Sequence, residues 1–166
     1  MSKLLYSATM SLDGFIAGPG GDMSWLTGYL EPSVDGLVEQ IGALLVGART
    51  FAGDDPNRGT DKEGAFSGTW HGPQFVLTHR SFAPAPGVTF FDDLPAAVAA
   101  AKAAAGEKYV NVLGAEVARQ CLDLDLLDEI LVLIAPVLLG GGTRLYQGSS
   151  VRLERIGPTW FRVLKE

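Results

Sequence analysis

A single cysteine, two histidines and three methionines in 166 residues leave this sequence short of the side chains that carry disulfides and soft-metal or thiol chemistry. Cys121 cannot close an internal disulfide, which points to a reducing compartment, and it reads as a small buried residue of a helix. Long apolar runs are also lacking. No stretch approaches the roughly 20 residues needed to cross a bilayer, and Met1-Ser2-Lys3 leads straight into the strand-like Leu4-Leu5-Tyr6-Ser7-Ala8-Thr9-Met10 with no targeting pattern. Lys and Arg number 13 against 19 Asp and Glu, a net charge of -6, which argues against a protein built on counterion release from nucleic acid. Asp54, Asp55, Asp61 and Glu63 have no metal-ligand spacing. The expectation is one cytoplasmic, soluble domain over residues 1–166, without metal, membrane or nucleic-acid partner.

Glycine is abundant instead, 21 residues in an apolar background, and marks many tight turns. The first strand, near residues 3 to 10, ends at Ser11-Leu12-Asp13-Gly14, and Asp22 is placed to cap a short turn carrying Trp25 and Leu26. Ser33 caps an expected helix with Val34, Leu37, Val38 and Ile41 on one face and Gly42 at its end. Ala43-Leu44-Leu45-Val46 follows as a strand buried on both faces, and Gly47-Ala48-Arg49-Thr50 as a strand-to-helix turn. Residues 53 to 73 read as a long surface loop that Trp70 pins to the core or brings to a ligand.

Gln74 to Thr78 is a third strand ending in His79-Arg80, and Val88 to Phe91 a short fourth. Asp92 and Asp93 start a helix with Pro95 in its first turn, Leu94, Ala97, Val98 and Ala101 facing inward and Gly106 ending it. Then comes a clear junction: the strand residues Val110, Val112 and Leu113, the small pair Gly114-Ala115, and a helix from Glu116 to Leu122. Such a turn brings backbone N–H groups and the positive end of a helix dipole toward a ligand, usually phosphate. Residues 129 to 135 form a long apolar strand, and the tail from Val151 to Leu164 forms a hairpin split by Gly157-Pro158. The fold class is α/β: a three-layer α-β-α arrangement with a mixed, mostly parallel sheet and an antiparallel C-terminal hairpin. The turns at Gly47, Thr78 and Gly114 fall at carboxyl ends of parallel strands, where such sheets bind ligands.

In this order the motifs resemble the dihydrofolate reductase superfamily, on the branch of the C-terminal reductase domain of the riboflavin-biosynthesis deaminase/reductase. Ser11 to Ala17 and Leu127 to Gly142 carry the resemblance most specifically, supported by Gly47 to Thr50, Leu77 to Arg80 and Gly114 to Gln120. It implies a dihydrofolate reductase-like fold binding NADPH, with NADH as the other possibility, and reduction of a small pterin-like or pyrimidine-like molecule by a homodimer. The diphosphate would lie against Gly47, Ala48, Arg49 and Thr50 and against Leu113, Gly114, Ala115, Glu116 and Val117. Thr78, His79 and Arg80 would border the adenosine and its 2′-phosphate, and Ala8, Gly14, Ile16 and Ala17 would approach the nicotinamide.

Two departures stand out. The family's usual Gly-Arg-x-Thr is Gly47-Ala48-Arg49-Thr50, which removes an arginine and leaves Arg80 to carry a 2′-phosphate; a common Gly-Gly-Ala is reduced to Gly114-Ala115. Asp22-Met23-Ser24-Trp25-Leu26 is similar to the Asp-Leu-x-Trp-Phe segment of dihydrofolate reductases, so Asp22, with a pKa raised in a dry pocket, and Asp13 are the candidate catalytic carboxylates. The alternatives to catalysis at Asp22 and Asp13 are an N-cap and a turn former. The alternative to the enzyme is a non-catalytic dinucleotide- or ligand-binding protein that keeps the fold.

Overall fold

The computed structural model describes residues 1–26, 36–53 and 70–165. Ten strands and three helices are assigned there: β1 (Leu4–Ser11), β2 (Phe15–Ala17), β3 (Ile41–Gly47), α1 (Ala48–Phe51), β4 (Gln74–Leu77), β5 (Val88–Phe91), α2 (Leu94–Ala105), β6 (Tyr109–Leu113), α3 (Ala115–Asp123), β7 (Glu129–Ala135), β8 (Thr143–Arg144), β9 (Leu153–Arg155) and β10 (Trp160–Val163). Eight of the strands make one sheet in the order β5-β4-β3-β6-β1-β7-β10-β9. The first six in that order run parallel; β10 is antiparallel to both β7 and β9. The α/β class and the mixed sheet with its antiparallel C-terminal pair are therefore as the sequence suggests. A second, small sheet pairs β2 with β8.

Parallel strands need crossovers, and the residues that form them are visible in the sequence. Asp93 caps α2, its Oδ2 accepting from the Ala96 N–H at 2.9 Å, with Pro95 in the first turn and Gly106 at φ 65 closing the other end. Leu94, Ala97, Val98 and Ala101 of α2 and Val117, Ala118 and Cys121 of α3 pack on the face of the sheet that carries Leu4, Tyr6, Leu45, Val110 and Val112. Burial pushes the Cys121 thiol up to about 12, so it sits there as an inert apolar group. The opposite face carries Leu5, Leu44, Val46, Val76 and Leu131, covered by Leu37 and Trp70. Trp70 does pin its segment to the core: the ring is buried and its indole N–H donates to the Ile41 carbonyl at 2.9 Å.

One expected element differs. The helix from Ser33 to Gly42 begins outside the described residues, and its later part is not α-helix: Val38–Gln40 is a single 3-10 turn and Ile41 opens β3. Gly42 is not a helix stop. A Cβ there would lie 2.7 Å from the Ala105 carbonyl oxygen, so the glycine lets the end of α2 approach the strand. The acidic positions 54, 55, 61 and 63 also lie outside the described residues.

Candidate cofactor and substrate site

The turns at the carboxyl ends of β3 and β6 meet. A Cβ on Gly114 would stand 2.7 Å from Thr50 Oγ1 and 3.8 Å from the Gly47 nitrogen; one on Gly47 would stand 3.0 Å from Val117 Cγ2. Each glycine thus makes room for a side chain of the other turn, which brings Gly47, Thr50, Gly114 and Val117 into one wall. Gly114 also sits at φ 108 and ψ 134, a conformation open almost only to glycine. Behind it, helix geometry leaves the N–H groups of Ala115, Glu116 and Val117 without partners within α3.

The charge of this wall is set by three side chains. Glu116 receives Arg119 in a two-pronged contact, Nη2 to Oε1 at 2.6 Å and Nε to Oε2 at 3.1 Å. Those bonds, with Gln120 and the nearby cation of Arg49, hold its carboxyl below the usual range. Arg119 is shared with Asp123, whose Oδ2 accepts from Nη1 at 2.5 Å, so the pairing reduces but does not cancel the negative charge at the start of α3. Ala48 is half-buried and Arg49 is exposed on α1.

β4 ends beside β3, and Thr78 is buried there, its hydroxyl oxygen accepting from the Arg80 N–H at 2.9 Å. This turn puts His79 and Arg80 in solvent. The Arg80 guanidinium lies 5.2 Å from the centroid of Phe82, which stacks on Phe90 at 5.6 Å, and it makes no ion pair among the described residues. A free cation held on an aromatic ledge suits a phosphate better than a mobile surface lysine would.

Asp13 closes the other side. Its Oδ1 accepts from Ser11 Oγ at 2.6 Å and from the Leu139 N–H at 3.0 Å, and its Oδ2 from the Gly140 N–H at 2.7 Å. These donors, Ser11 foremost, hold its pKa at about 2. Gly142 sits so close to Ala17 that a Cβ would fall 2.0 Å from the Ala17 carbonyl oxygen. Asp13 and Gly142 together fold the β1–β2 turn onto the segment after β7, placing Gly14, at φ 94, and half-buried Ile16 and Ala17 along one rim. Ala8, also half-buried, lies on β1 and packs against the core of the helix-covered face.

Asp22 is not in a dry pocket and its pKa is not raised. It is exposed, accepts from the Ser24 N–H at 2.9 Å and Ser24 Oγ at 3.0 Å, and is held by them below the usual carboxylate range. That is the capping alternative, for the 3-10 turn Ser24–Leu26.

Two features escaped the sequence reading. One is the Asp13 tether, which joins residues more than a hundred positions apart with no periodic signal. The other is a cleft of about 490 Å³ lined by Tyr109, Glu129, Trp160 and the 156–159 segment. Tyr109 and Glu129 open β6 and β7, so this cleft is at the end of the sheet away from the glycine turns. Burial, with a smaller contribution from Glu129, pushes the Tyr109 hydroxyl up to about 12.

A mostly parallel sheet with interlocked glycine turns, an exposed arginine and a tethered rim at its carboxyl end defines the class: an α/β protein whose strand ends are the place such sheets use for ligands. Within that class the chain belongs to the RibD C-terminal domain family, whose profile matches residues 2–160. A comparison with curated proteins finds no match. Solved structures share the fold. A putative riboflavin biosynthesis protein from Shewanella sp. PV-4 aligns at a TM-score of 0.70 and 23% identity, over 97% of this chain and 96% of that one. The riboflavin biosynthesis reductase of Saccharomyces cerevisiae aligns at 0.58 and 19%, over 98% and 88%. A Thermotoga maritima protein described as a diaminohydroxyphosphoribosylaminopyrimidine deaminase/5-amino-6-(5-phosphoribosylamino)uracil reductase aligns at 0.60 and 18%, over 98% of this chain but 55% of that one. The present chain thus corresponds to about half of that bifunctional protein. Among the described residues no helix is long and apolar enough to cross a membrane.

Proposed function

We propose that the protein is an NAD(P)H-dependent reductase of a small heterocycle of pterin or pyrimidine type, working as a cytoplasmic homodimer. The observation that carries this reading is the wall in which the Gly47 and Gly114 turns interlock, beside Arg80, which makes no ion pair among the described residues. The N–H groups of Ala115, Glu116 and Val117 would hold the diphosphate, with Thr50 and the dipole of α3 behind them. Arg80 grips a 2′-phosphate, and Thr78 fixes the turn that presents it. The reduced nicotinamide supplies the hydride. Ala8, Gly14, Ile16 and Ala17 would border the nicotinamide, and half-buried Ile16 and Ala17 would keep water from it. Asp13, with both oxygens occupied and a pKa of about 2, holds the rim in place and donates no proton at neutral pH. Family membership and the reductase descriptions of the yeast and Thermotoga relatives support the same reaction class. The exposed edge strand β9 is the surface for the dimer.

NADPH titration tests it. Saturating NADPH raises the melting temperature and changes Trp fluorescence, and Arg80→Ser weakens NADPH about tenfold while leaving NADH unchanged, the loss of one charge-assisted contact. No response of either signal to saturating NADPH would sink the cofactor reading. A second reading, a ligand-binding protein without turnover, is favoured by one observation: Asp13 and Asp22 are both held ionised. It predicts NADPH binding with no oxidation of the cofactor in the presence of any pterin or pyrimidine.

A further inference from the structure

Tyr6 lies well inside β1, 1% exposed, in the cluster that α2 and α3 cover. A phenylalanine there would fill the same space and leave no hydroxyl to satisfy, so the oxygen is explained by what it bonds. It donates to the Leu145 carbonyl at 2.7 Å, across 139 residues of chain. Burial raises the pKa of the phenol, so it remains a donor at neutral pH.

Leu145 is held from both sides. Its own N–H donates to the Gly14 carbonyl at 2.9 Å. Just before it, β8 pairs with β2, Arg144 opposite Phe15 and Thr143 opposite Ala17. Asp13 and Gly142 fasten the same two segments to each other further along. Those contacts make one unit of the 13–17 and 139–145 segments, and Tyr6 bonds that unit to the interior of the large sheet.

The side from which this bond comes sets its effect. Side chains alternate along a strand, so Tyr6 and Ala8 share a face of β1, and Leu145 packs against the same cluster as Ala8. The Tyr6 hydroxyl therefore draws Leu145, and through it Gly14, toward the face that carries Ala8. The wall at Gly47 and Gly114 is closed by contacts that involve none of these residues.

We infer that Tyr6 is a positioning residue for the nicotinamide half of the site: its hydroxyl, through Leu145, sets where Gly14, Ile16 and Ala17 stand relative to Ala8, while the diphosphate wall is independent of it. This rests on the NAD(P)H reading and deepens it by assigning the two halves of the cofactor to separately fastened parts of the chain. Tyr6 itself touches neither cofactor nor substrate.

The probes are NADPH and adenosine 2′,5′-bisphosphate, which carries the adenosine and the 2′-phosphate but no nicotinamide. Binding of each is measured by calorimetry to the unmodified protein and to Tyr6→Phe, which keeps the ring and removes the bond. The variant binds NADPH about fivefold more weakly, the loss of one hydrogen bond, and binds the bisphosphate within about twofold of the unmodified protein. A side chain that merely stabilised the fold would weaken both alike or neither. Hydrogen exchange adds a readout that needs no variant and decides the matter if Tyr6→Phe does not fold: NADPH slows exchange of the Leu145 amide and the bisphosphate does not. Equal loss of both ligands in Tyr6→Phe, no loss of either, or Leu145 exchange that ignores NADPH overturns this inference alone. Failure of the unmodified protein to bind either ligand overturns the cofactor reading and takes this inference with it.

Discussion

Two pairs of loops close the carboxyl end of this sheet, and they are closed by different physics. At β3 and β6 the contact is steric: Gly47 gives way to Val117 and Gly114 to Thr50, with no charge involved. At β1 and β7 it is electrostatic: one carboxylate, Asp13, collects Ser11 Oγ and two backbone N–H groups. A steric lock has no pH dependence and tolerates no added volume. A carboxylate clamp tolerates a change of size but follows its own titration. The proposed diphosphate wall is on the rigid side and the nicotinamide rim on the titratable side, so cofactor retention and rim closure should fail under different conditions.

The largest effect is expected at Gly114. Gly114→Ala forces a Cβ into a backbone conformation that costs about 1–3 kcal/mol and pushes it against Thr50. The sum is about 3 kcal/mol or more, read as a lower denaturation midpoint, with loss of NADPH binding. Adding Thr50→Ala recovers only the part due to the collision, since the strain in φ remains. Gly47→Ala should be milder, at about 1 kcal/mol, because Gly47 has an ordinary φ of -76 and meets only a methyl of Val117. Val117→Ala in the same chain should restore most of it. A double-mutant cycle separates the two: strong coupling between positions 47 and 117, and incomplete rescue between 114 and 50. Full rescue of Gly114→Ala by Thr50→Ala would show that volume alone governs both turns.

How much of this could be read from the sequence follows the same division. The turns, α2 with its Asp93 cap and α3 depend on neighbours within a few residues, and they are where the sequence puts them. Positions 34, 37, 38 and 41 fall on a helical period, yet Ile41 begins β3, because a register shift between Ile41 and Ala43 lets the strand start early. Gly42 resembles a helix stop until the end of α2 is seen against it. Asp22 and Asp13 look alike in sequence, each an acidic residue in a turn, and only the fold separates them: one caps its own turn from solvent, the other reaches the 139–140 backbone. Asn111 carries no signal at all, since its burial and the bond it accepts from Ser7 depend on two strands far apart in the sequence.

The electrostatic clamp gives the smallest effect and the clearest sign. Asp13 has a folded-state pKa of about 2, against about 4 in an unfolded chain. A depressed pKa means that its contribution is complete above about 4 and is lost as pH falls through about 2. The melting temperature of the unmodified protein should therefore drop across that window. Asp13→Asn should lower it by a few degrees at neutral pH and flatten the drop, because a neutral amide has no charge to lose and turns a donor toward one of the two N–H groups. Asp22→Asn should alter the same curve less, since that carboxylate holds only Ser24 beside it. Through the whole titration the coupling between positions 47 and 117 should stay constant, as no ionisable group takes part in it. A coupling that fell with pH alongside the Asp13 clamp would mean that the two ends of the site are one cooperative unit and not two independently closed walls.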